Sequence, residues 1–112
     1  MAKQKLTLQA NPTFKTVVGI PVPGEKDVAP VEFIFKHRTK SELKVWREAI
    51  NLDDEGITLE HILDIAQGWD LPDEFNAENV TRMLDQYPGS GLAIFAKYIS
   101  ELQDARLGNL GR

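Results

Sequence analysis

The 112-residue chain contains no cysteine, which excludes a disulfide framework, a thiolate nucleophile and a cysteine-based zinc site. Histidine is almost as scarce. His37 and His61 stand alone, and although Asp64 lies three residues after His61, a metal centre needs more ligands than that pair supplies. No apolar run is long enough to cross a bilayer, and the opening "MAKQKLTLQA" lacks the continuous apolar segment of a signal peptide. A cytoplasmic protein is expected, in keeping with the missing cysteines. Nor is there a nucleophile-elbow serine, and Gly89-Ser90-Gly91 matches neither the Walker pattern nor the dinucleotide fingerprint. The adjacent pairs Asp53/Asp54 and Asp73/Glu74 point apart rather than together, and nothing nearby suggests the desolvation that retunes a catalytic carboxylate. No enzyme and no cofactor is expected.

Composition places the chain among ordinary globular domains, with 42% hydrophobic and 27% charged residues, enough for one core and too few for two. A formal charge of −4 disfavours a general nucleic-acid binder, which needs a positive face against the phosphates. The charge is unevenly placed. Lys36, Arg38, Lys40, Lys44 and Arg47 oppose Glu42 alone, whereas residues 51–82 carry Asp53, Asp54, Glu55, Glu60, Asp64, Asp70, Asp73, Glu74 and Glu78 against Arg82 alone. Such a bipolar chain can steer a partner or align identical subunits head to tail, although two solvated faces would look the same. The basic stretch has one interleaved aromatic, Trp46, whose spacing with Leu43 and Ile50 suits a helix core face better than a nucleobase.

Periodicity divides the chain in two. "KLTLQA" alternates apolar and polar residues and "TFKTVVGI" is rich in β-branched and aromatic residues, so both predict strands. The three prolines and one glycine of "PVPGEKDVAP" predict a long loop. "VEFIFKH" then puts Val31, Phe33 and Phe35 on one face of a strand, antiparallel to residues 14–20. From Thr39 the period becomes helical. Thr39 and Glu42 match a capping box, and a second helix is expected from Thr58 to Gln67, stopped by Gly68. Asp53, Glu55 and Gly56 occupy three offsets of a calcium loop, but Ile62 stands where the closing glutamate is required. Those acids read instead as complements to a helix N-terminus.

Asn76 predicts the next N-cap, with Phe75 and Val80 at staple positions, and Pro88-Gly89 breaks that helix. A last helix is expected from about Ser90 to Arg106, with Leu92, Phe95, Ile99 and Leu102 in register. The sum is an α+β fold, an N-terminal antiparallel β-hairpin or small sheet followed by about four α-helices. A single domain over residues 1–106 is expected, with strands within 5–37, helices within 39–106, and a flexible tail over 107–112. Trp69, in the linker "GWDLPDEF", either plugs a gap between helices or, exposed with Leu71 and Phe75, forms an aromatic anchor for a partner.

In order, "LTLQANPTFKTVVGIPVPG", "VEFIFKHRTKSEL" with Trp46, "DIAQGWDLPDEFNAENVTRML" and "YISELQDARLGN" resemble the tail assembly chaperones of long-tailed bacteriophages and prophages. None of these motifs is catalytic, and the likeness lies in their order and extent. The resemblance implies a non-enzymatic protein of the host cytoplasm, absent from the mature virion, which coats the tape measure protein and gives way as tail tube subunits polymerise. In members of this group a frameshifted longer form often recruits the tail tube protein, and the tail at 107–112 is where such a junction would fall. A client with apolar helical surface needs an apolar groove with a charged rim. Trp69, Leu71 and Phe75, with the inward edge of the last helix at Phe95 and Tyr98, are the expected contributors. Bipolar charge would favour a homo-oligomer along the client. Neither nucleic acid nor membrane is an expected partner. The alternative class is a small structural virion protein, a tail or head–tail connector subunit, and a nucleic-acid-binding regulator stands third.

Overall fold

The computed structural model describes residues 6–50, 52 and 56–103. The expected tail at 107–112, the end of the last helix beyond 103 and the acids Asp53, Asp54 and Glu55 lie outside the described residues. Strands β1 (Thr13–Ile20), β2 (Ala29–Lys36) and β3 (Ala66–Trp69) form one antiparallel sheet in the order β1-β2-β3. Helices α1 (Lys40–Ala49), α2 (Leu59–Ile65), α3 (Ala77–Gln86) and α4 (Ser90–Leu102) complete the α+β arrangement.

The hairpin runs in unbroken register from Thr13↔Lys36 to Ile20↔Ala29. That register puts Val18 and Ile20 on the same face as Val31, Phe33 and Phe35, all of them buried, because alternate strand residues share a side. The Pro-rich connection turns through Gly24, whose φ of +85° is a left-handed conformation that glycine adopts without steric cost. Glu25 N–H donates to the Val22 carbonyl there at 3.0 Å.

Two expectations fail locally. "KLTLQA" forms no strand in its described part, residues 6–10, and Leu6 and Leu8 are 92% and 103% exposed. Its alternation has no partner edge to pair with, and a strand without a ladder is not stable in water. The second difference is β3, in the stretch read as the end of a helix and a linker. Helix α2 stops at Ile65 because the chain turns extended at Ala66 and pairs with β2, Ala66 opposite Phe35 and Trp69 opposite Phe33. A register shift at Ile34/Phe35 accommodates Gln67. Gly68 allows a close approach to β2: a Cβ there would stand 3.0 Å from Ile34 Cδ1. Two more bonds extend the ladder, Asp70 N–H to the Glu32 carbonyl and Glu32 N–H to Asp70 Oδ1, both 3.0 Å.

The caps explain where the helices begin. Thr39 and Glu42 form the predicted capping box at 3.1 and 2.9 Å. At α2 a histidine takes the usual glutamate's place: Thr58 N–H donates to His61 Nδ1 at 2.9 Å, satisfying a donor the helix leaves free. Asn76 Oδ1 accepts from Asn79 N–H at 2.8 Å and starts α3. Phe33 and Phe35, both 0% exposed, form the sheet side of the core, and Ile62 and Ile65 of α2, Val80 of α3 and Ile94 of α4 close it. Each such side chain contributes about 1.5–3 kcal/mol relative to exposure. The opposite sheet face carries Lys15, Val17 and Ile34, of which Lys15 and Val17 are exposed.

A candidate docking groove between the hairpin end and α3

Where the hairpin ends and β3 turns toward α3, the surface opens into a cavity of about 440 Å³. Ile20, Val22, Ala29 and Val31 form one wall, Trp69, Leu71 and Asp73 the base, and Asn79, Arg82, Met83, Gln86 and Tyr87 of α3 the other wall. The helix contributes those residues because positions 79, 82, 83 and 86 fall on one side of a 3.6-residue turn. Val80, on a neighbouring side, is buried in the core and anchors α3. The floor is apolar, and Asp73, Arg82 and Gln86 supply the polar rim.

The walls are firmly held. Trp69 Nε1–H donates to the Asp73 carbonyl at 2.7 Å, its ring meets Phe33 edge-on at 5.9 Å and Phe75 at 5.0 Å and 87°. Asn79 Nδ2–H donates to the Glu74 carbonyl at 2.8 Å, which fixes the 70–76 segment to the first turn of α3. A preformed groove of this kind loses little conformational entropy when it is filled.

Of the five residues expected at a partner surface, Trp69 and Leu71 line the groove and Phe75 stands behind Trp69. Phe95 and Tyr98 do not join them. They are 7% and 0% exposed, on the side of α4 turned to the sheet and α1, so they are core residues and offer no surface. Tyr98 Oη donates to the Lys36 carbonyl and accepts from Arg38 Nη1, each at 2.8 Å. Arg38 also pairs with Asp64 at 3.1 Å and lies 4.6 Å over the Trp46 ring, whose Nε1–H donates to Asp64 at 2.6 Å. The basic stretch is thus partly structural: Arg38 ties α1, α2 and α4 to the end of β2, and Lys36 Nζ reaches the Leu63 carbonyl at 3.1 Å.

Sequence periodicity places Met83 with Val80, Leu84 and Tyr87 on the apolar face of α3, but does not single out Arg82, Gln86 or Val22. The Pro-rich loop contributes Val22, and Ala29 at the start of β2 lies beyond its other end.

Among the described residues no group of three or more metal-ligating side chains gathers, and His61 spends Nδ1 on the Thr58 cap while Asp64 is taken by Arg38 and Trp46. Two ionisable groups are displaced from their ordinary values. Burial raises the Tyr98 phenol, with Arg38 pulling the other way, and the Thr39 backbone N–H lowers the exposed Glu42 carboxyl. Both shifts belong to the fold rather than to a reaction. No described helix is long and apolar enough to cross a membrane.

No curated protein and no solved structure matches the chain. A family model described as phage tail assembly chaperone matches residues 1–109, nearly the full length. With a match of that extent, this chain belongs to the phage tail assembly chaperone family.

Proposed function

We propose that the protein binds the tape measure protein through the groove between the hairpin end and α3, keeps that long helical client soluble, and yields it as tail tube subunits polymerise. The role is one of binding without catalysis. The groove carries the reading: its apolar lining, Ile20, Val31, Leu71 and Met83 among it, opens to solvent. The α3 wall from Asn79 to Gln86 is about 11 Å long at 1.5 Å per residue, roughly two turns. An amphipathic helix laid beside it would place apolar residues at i, i+3 or i+4, and i+7 against that floor. Trp69 and Leu71 touch the client directly and Phe75 braces Trp69.

On this reading the protein acts in the host bacterial cytoplasm and is left out of the finished particle. A longer, frameshifted form would bring in the tail tube protein. Co-expression with the tape measure protein, followed by size-exclusion chromatography, tests the assignment. Co-elution of soluble tape measure protein is expected with the wild type. Leu71→Glu should abolish it, since losing one buried leucine and burying a charge weakens binding by about tenfold to a hundredfold or more. An insoluble tape measure protein beside a free small domain, with the domain retained in purified particles, would instead identify a structural virion subunit.

A further inference from the structure

The groove lining holds two charged side chains, Asp73 and Arg82, among apolar, aromatic and amide groups. Both are exposed. Among the described residues neither enters a salt bridge, the pairs there being Arg38 with Asp64 and Lys97 with Glu101. Asp73 contributes only its backbone carbonyl to the fold, accepting from Trp69 Nε1–H at 2.7 Å.

The surrounding charges are differently used. Asp70 Oδ1 accepts from Glu32 N–H at 3.0 Å and so belongs to the sheet ladder. Glu78 stands four residues before Arg82, a spacing that favours an ion pair on a helix. Arg82 lines the groove without pairing to it. One carboxylate and one guanidinium are thus left facing the space that a client would fill.

They are also displaced along that space. Asp73 precedes the α3 cap at Asn76, whereas Arg82 is in the second turn of the helix. Beyond Arg82 the groove ends at Val22 and Tyr87, where the hairpin loop meets the start of α4: a Cβ on Gly89 would stand 3.3 Å from Pro21 Cγ. An uncharged apolar helix laid here would strip water from both charges and return nothing to either. A helix with matching charges satisfies both, and the same helix reversed sets like charges together.

We propose that Asp73 and Arg82 select the client segment, a helix whose apolar stripe is flanked by a carboxylate for Arg82 and a lysine or arginine for Asp73. The pair fixes the register and direction of that helix, while the apolar lining supplies its burial. This inference rests on the proposed binding of the tape measure protein in the groove and names the part of that protein the groove accepts.

Overlapping synthetic peptides that tile the tape measure protein, fluorescently labelled and titrated with the full chain, provide the test by anisotropy. The peptides that bind should carry the two opposite charges beside an apolar stripe. Arg82→Glu and Asp73→Lys, both at exposed positions that leave the core intact, should each weaken binding about tenfold or more at low salt. The difference should shrink as salt screens the rim. A peptide with its carboxylate replaced by the amide should bind wild type more weakly, yet lose nothing further against Arg82→Gln, because the two changes remove one contact. Binding peptides that lack the charges, reversals that bind within about twofold of wild type, or losses that simply add would overturn the selection. Leu71→Glu separates this from the underlying reading. If it abolishes binding while the charge reversals do not, only the selection falls; if it binds like the wild type, or no peptide binds at all, the groove reading falls with it.

Discussion

Replacing Tyr98 by phenylalanine isolates the polar half of the core. The ring would keep its neighbours, Phe35 at 5.2 Å, Trp46 at 5.5 Å and Phe14 at 6.1 Å. What disappears is Oη, with its bond to the Lys36 carbonyl and the one it receives from Arg38, each at 2.8 Å. A neutral hydrogen bond contributes about 1 kcal/mol and one to a charged group about 1.5–3 kcal/mol. Lys36 is exposed and Arg38 keeps Asp64, so the lower halves of those ranges apply, and the expected loss is about 2–3 kcal/mol. In urea, with a slope of about 1.5 kcal/mol/M for a domain of this size, the midpoint should fall by roughly 1.5–2 M at unchanged slope.

The same substitution should change the pH profile. Burial holds the Tyr98 phenol above its ordinary value of 10.0. The folded state therefore keeps this proton more tightly than the unfolded chain, and the associated stability is complete below the unfolded pKa and lost as pH rises through the folded one. Wild-type stability should decline on that alkaline side, and Tyr98→Phe should lack this component of the decline. A loss under about 0.5 kcal/mol at neutral pH, within the range of an ordinary surface change, would refute the claim that this hydroxyl fastens the end of β2 to α4.

Asn76→Ala should cost about 1 kcal/mol by removing the 2.8 Å cap on Asn79 N–H, with Asn76→Asp restoring most of it in the same urea titration. Gly91→Ala sets two effects against each other: alanine gains about 1 kcal/mol of helix propensity, but its Cβ would stand 2.9 Å from Ile57 Cβ and 3.2 Å from Leu84 Cδ2. Overpacking of that kind costs about 1–3 kcal/mol, so a net destabilisation of about 1 kcal/mol is expected, read as a fall in thermal midpoint. A stabilised Gly91→Ala would show that the packing of α4 against Ile57 and Leu84 yields more readily than its geometry indicates.

Local sequence was sufficient wherever a signal is read over a few residues. Alternation in "VEFIFKH" set the core face of β2, the Thr39/Glu42 and Asn76 caps set helix starts, and Pro88-Gly89 set a break. Those signals depend on backbone donors and side chains within one or two turns, so no distant partner was needed. Groove membership was partly legible: a linker tryptophan beside Leu71 marked the base, whereas the α3 wall looked like an ordinary amphipathic helix.

What only the tertiary structure decided involved contacts between distant segments. "AQGW" has the composition of a helix end, and it became β3 because the β2 edge offered hydrogen-bond partners. "KLTLQA" has a better strand pattern and formed none in its described residues because no edge was placed beside it. Phe95 and Tyr98 read as helix-face aromatics suited to a partner, and packing against the sheet and Trp46 consumed them. The amino-acid order alone fixed the periods, the caps and the uneven charge, all properties of neighbouring residues. Which strand found an edge and which aromatics stayed at the surface depended on where the rest of the chain came to lie.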